Sequence, residues 1–110
     1  MLYKFKSQAT GDLIMLEPNG RQILQVLGKD GGNDLVKGIL EPGDMPEAIE
    51  RLQSAIAHEE VQRAALVAQA LERGEAPPPA PAVTLRQRAT PFIAMIQRCQ
   101  RADEPIVWGV

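Results

Sequence analysis

Between Asp44 and Gly74 the chain carries a helix signal longer than the body it has to fit. Asp44 is a good N-cap, Pro46 stands in the first turn where its missing N–H costs nothing, and Glu47 and Glu50 suit the positive end of the helix dipole. Gly74 supplies the stop. A helix over 45–73 is about 43 Å long at 1.5 Å per residue. A compact domain of this size has a radius of gyration of about 13 Å, hence a diameter of about 34 Å. Such a helix overshoots its own core.

The apolar pattern along this helix is also broken. Met45, Ile49, Leu52 and Ile56 recur at spacings of three and four and define one face. The next positions on that face hold Glu59, Glu60 and Arg63, and a new stripe begins at Val61, Ala64, Ala65, Ala68 and Leu71. The step from Ile56 to Val61 rotates the face by roughly 140°. One straight helix cannot offer both stripes to one core. Either it bends near His58, or its second half meets something else.

The remaining elements are shorter. LYKFK at 2–6 alternates, with Tyr3 and Phe5 on one face and Lys4 and Lys6 on the other. A polar loop with Gly11 leads to LIML at 13–16, apolar on both faces. Together they read as a β-hairpin whose second strand is the more buried. Glu17-Pro18-Asn19 ends that strand, and a short helix follows with Ile23, Leu24 and Leu27 on one face and Gly28 as its cap. Residues 29–38 form a mobile glycine-rich loop, closing on an extended piece at Ile39-Leu40. Residues 76–82, APPPAPA, form an extended polyproline-type connector. Thr84 and Gln87 make a capping box for a last helix. Pro91 predicts a kink or restart, after which Phe92, Met95, Ile96 and Cys99 form a clean face. IVW at 106–108 reads as a terminal strand pairing with the hairpin.

The expected fold is one α+β domain over residues 1–110. It has a small antiparallel or mixed sheet, helices on one face and the long helix overhanging. Tyr3, Phe5, Ile14, Ile49, Leu52, Phe92, Ile96 and Trp108 are its expected core. Strand order is not readable from the pattern.

Composition narrows the function. The 110 residues are 45% apolar and 24% charged with net charge −2, values of an ordinary globular domain with no global basic field. One cysteine closes no intrachain disulfide, no apolar run approaches the roughly 20 residues of a membrane span, and MLYKFKSQATGD lacks the apolar core of a leader. The expected location is cytoplasmic, away from membranes.

No motif of catalysis, metal or cofactor binding survives inspection. His58-Glu59-Glu60-Val61-Gln62 starts like a zinc-protease helix but has glutamine where the second histidine belongs. Asp30 and Glu41 match the ends of a calcium loop, but Gly32 and Leu35 occupy positions needing a ligand and a glycine. Ser54 and His58 lack an orienting acid and an oxyanion hole. Cys99 sits on an apolar face, as an inert buried thiol does. The glycines at 28, 31, 32 and 38 make no phosphate loop.

The segments MLYKFKSQATGDLIMLEPNGRQIL, LRQRATPFIAMIQR and PIVWGV give the chain its family likeness. It resembles a small bacterial family catalogued as the domain of unknown function numbered eighteen-forty. The likeness runs nearly end to end and is weakest in the glycine-rich loop and the proline-rich connector. What it implies is a stand-alone bacterial cytoplasmic protein, with no activity and no site residue to carry over.

Two surfaces are therefore candidates. The stripe Val61, Ala64, Ala65, Ala68 and Leu71 fits self-association or a protein partner, because an apolar overhang is normally covered. The alternative is Arg86, Arg88, Arg98 and Arg101, which carry +4 in one segment and fit nucleic acid or a phosphate ligand. The bland account of those arginines is pairing with the acidic first half of the long helix. There Asp44, Glu47, Glu50, Glu59 and Glu60 against Arg51 sum to −4. An enzyme ranks third, since no carboxylate pair stands apart from a solvated face.

Overall fold

The computed structural model describes residues 2–29, 31, 35–79 and 83–109. Parts of the expected mobile loop (30 and 32–34) and of the connector (80–82) lie outside the described residues, as do Asp30 and Gly32 of the calcium-type spacing.

Alternation dictates the sheet. β1 (Leu2–Ser7) and β2 (Thr10–Leu16) form an antiparallel hairpin in which Tyr3 pairs with Met15 and Phe5 with Leu13. β3 (Gly38–Leu40) and β4 (Ile106–Trp108) pair antiparallel, and β4 joins β1 through Lys6 and Val107. The sheet is antiparallel throughout, in the order β2-β1-β4-β3.

Three helices complete the α+β fold: α1 (Glu17–Val26), α2 (Met45–Glu72) and α3 (Leu85–Ala102). They cover one face of the sheet, where Phe5 meets Phe92 edge-on at 4.7 Å and Trp108 at 5.9 Å. Ile23, Leu24, Leu52, Ile96 and Ile106 fill the space around these rings. Gly20 lets α1 lie against Tyr3: a β-carbon there would stand 2.5 Å from the ring.

Register decided what apolar content alone did not. Expected in the core, Ile14 is 53% exposed, and β2 is an edge strand rather than the more buried one. LIML is apolar on both faces, but pairing Phe5 with Leu13 and Tyr3 with Met15 sends Ile14 and Leu16 to the uncovered face with Leu2 and Lys4. Ile49 is only half-buried at the edge of the core.

The helix ends carry further corrections. α1 begins at Glu17, so Glu17-Pro18-Asn19 is its first turn and not a break before it. Asp44 precedes α2 but makes no side-chain cap bond, because a 3-10 turn over Pro42–Asp44 already leads in. α3 runs through Pro91 without a restart. Its capping box is present, with Gln87 N–H donating to Thr84 Oγ1 at 3.2 Å and Thr84 N–H to Gln87 Oε1 at 2.9 Å. Gly28 and Gly74 close α1 and α2 at φ +76° and +70°, and Asp103 does the same for α3 at +57°.

Candidate functional site

α2 is an unbroken helix of 28 residues that runs through His58 with no interruption. Its length stretches the molecule to 52 × 28 × 24 Å with a radius of gyration of 16.0 Å, above the roughly 13 Å of a compact domain. Met45, Ala48, Leu52 and Ile56 are buried; beyond them only Ala70 is.

The polar break in the apolar face has a structural purpose. At about 100° per residue, Glu59 and Arg63 point within about 20° of the direction of Leu52. What they meet is backbone. Glu59 Oε1 accepts from the Leu85 N–H at 3.0 Å, satisfying an open donor at the start of α3. Arg63 donates to the Pro79 carbonyl at 3.2 Å and to that of Pro78. Proline segments offer carbonyls without N–H groups, so a guanidinium suits them where leucine does not. Glu60 completes the set with a two-pronged pair to Arg86, 2.7 and 2.8 Å. The hydrogen bond from Arg86 holds the Glu60 carboxyl below its ordinary range, and the same bond raises the Arg86 guanidinium. Sequence pattern alone missed Glu59 and Arg63 as holding residues; their signal was a polar interruption on the direct continuation of a core face.

The displaced stripe lies on the opposite side. Val61, Ala64, Ala65, Ala68 and Leu71 point about 100–220° away from Leu52. All five are exposed, Val61 at 69% and Leu71 at 66%. The structure thus brings these five expected surface residues together on one unobstructed helix face.

The four arginines are not brought together. Arg86 is engaged by Glu60. Arg88 is half-buried, with Nη1 donating to Asn19 Oδ1 at 3.4 Å and its Nε without a partner among the described residues. Arg98 and Arg101 are exposed about 15 Å or more further along α3. The Arg86–Glu60 pair is the cross-helix contact of opposite charges that the bland account describes.

His58 and Ser54 are exposed on α2, and Cys99 is buried in the core. Among the described residues, no group of three or more His, Cys, Asp or Glu is placed to hold a metal, and no helix is long and apolar enough to cross a membrane.

The family described as "Domain of unknown function (DUF1840)" matches residues 1–108 in one span, which takes in both the glycine-rich loop and the proline-rich connector. No curated protein and no solved structure matches the chain.

Proposed function

We infer the function of this chain, which belongs to the DUF1840 family, from its own surface: it is an interaction module that docks through the outer face of the second half of α2. The observation that carries this is the exposure of Val61 and Leu71 on a helix that projects past its core. A side chain of that size gains roughly 1.5–3 kcal/mol when moved from water into an apolar contact. The three alanines between them leave room for another helix to approach closely. A cytoplasmic location belongs to the same proposal, in keeping with a fold whose single cysteine, Cys99, is buried and free.

The arginine surface is the weaker reading, because Arg86 and Arg88 are already engaged and the other two lie far from them. It calls for salt-sensitive oligonucleotide binding that falls when Arg98 and Arg101 are replaced.

The test of docking is the Ala65→Glu, Leu71→Glu double variant, followed by light scattering coupled to gel filtration over a range of concentrations. The parent associates and the variant does not, while circular dichroism and the unfolding midpoint of dilute protein stay unchanged. A parent oligomer whose mass is unchanged in the variant would sink the reading.

A further inference from the structure

We propose that the occupant of this stripe is a second copy of the same helix, laid antiparallel across a twofold axis near residue 66. The proposal rests on the reading of the stripe as the docking face and names its partner.

A twofold interface brings one patch against itself, so the patch must be self-complementary. Val61, Ala64, Ala68 and Leu71 are spaced three, four and three residues apart, which reads the same from either end. It is also the seam spacing of a two-helix coil. Laid antiparallel about residue 66, Val61 of one copy meets Leu71 of the other, and Ala64 meets Ala68. Large side chains close both ends and small ones fill the middle.

Charge selects this direction over the parallel one. Followed back toward the start of α2, the same seam passes Ala57, Ser54, Glu50 and Glu47, all exposed. A parallel pair would stack Glu50 on Glu50 and Glu47 on Glu47 along two adjoining helices, an arrangement of like charges that destabilises pairing. In the antiparallel pair these acids lie beyond the end of the other helix, which stops at Glu72. On the flanks His58 of one copy comes beside Glu72 of the other, and Glu60 faces Gly74, so no like charges meet.

The seam spans about 15 Å of helix, and two such faces bury less than the roughly 1,200 Å² of a standard stable interface. The dimer is therefore a weak one that dissociates on dilution.

Cysteine cross-linking of the full chain tests the arrangement. Val61→Cys and Leu71→Cys chains are made separately; the native Cys99 is buried and does not compete. Mixed and oxidised, they form the mixed dimer at least fivefold more than either forms alone. Cross-linking of Val61→Cys to itself, with none to Leu71→Cys, would overturn the antiparallel pair while leaving the docking reading intact. A parent that stays monomeric up to millimolar concentration, with no cross-links, would overturn the second copy as occupant. A dimer that survives the double glutamate variant would instead overturn the docking reading itself.

Discussion

The two halves of α2 share one helix and are held by different forces. From Met45 to Ile56 the helix is packed against α3 and α1 by apolar burial, with Leu52 at its centre and wholly inaccessible. From Val61 to Glu72 almost nothing is buried. There the helix rests on alanine-rich propensity, on the Gly74 cap, where Glu75 N–H donates to the Ala70 carbonyl at 2.8 Å, and on polar groups gripping backbone. A long isolated helix in water is marginal on propensity alone. The comparison teaches that an overhang is kept helical by continuity with a packed half, and that its outer face is free to be something other than core.

The sharpest break of this comparison is a matched pair of truncations. Leu52→Ala removes a fully buried side chain and costs about 2–5 kcal/mol in denaturant unfolding. Leu71→Ala at low protein concentration stays within about 0.5 kcal/mol of the parent. Equal losses would mean that the second half is part of the cooperative core.

Smaller and more local is Arg63→Ala. Losing the grip on the Pro78 and Pro79 carbonyls leaves the global unfolding midpoint nearly unmoved, and it raises amide exchange over 64–72 and at 75–76 several-fold. Unchanged exchange there would show that the connector does not brace the overhang.

The smallest effect belongs to Glu60. Its pKa is lowered in the folded chain by the hydrogen bond from Arg86, so the pair contributes at neutral pH and is lost as acid protonates the carboxylate. Both partners are exposed, and the gain is slight. In the parent, stability falls a little more between neutrality and pH values below the ordinary glutamate range than it does in Glu60→Gln. Parallel acid-unfolding curves for the two would refute this.

Local chemistry made much of the fold legible. The alternation of LYKFK, the Thr84–Gln87 box, Gly28 and Gly74 as caps and the face Phe92, Met95, Ile96, Cys99 each act within a few residues, so reading neighbours suffices. The candidate stripe was legible for the same reason: a helical period that shifts by five residues from Ile56 to Val61 is a local fact.

The tertiary structure decided the rest, because it depends on which groups meet across long separations. Ile14 and Leu13 are equally apolar, and only pairing with Lys4 and Phe5 sent one outward and the other toward the core. Glu59 and Arg63 look like breaks in a core face until the start of α3 and the proline carbonyls, 15 to 26 residues away, are seen to need an acceptor or a donor there. The four arginines share one sign and one segment, yet packing against Glu60 and Asn19 divides them. By itself the sequence determined the elements, the caps at Gly28, Gly74 and Thr84 and the surplus length of α2, since propensity, capping and periodicity are properties of neighbouring residues. Register, edge strands and the fate of each charge waited for the fold, since hydrogen-bond and ion-pair partners exist only once distant segments are brought together.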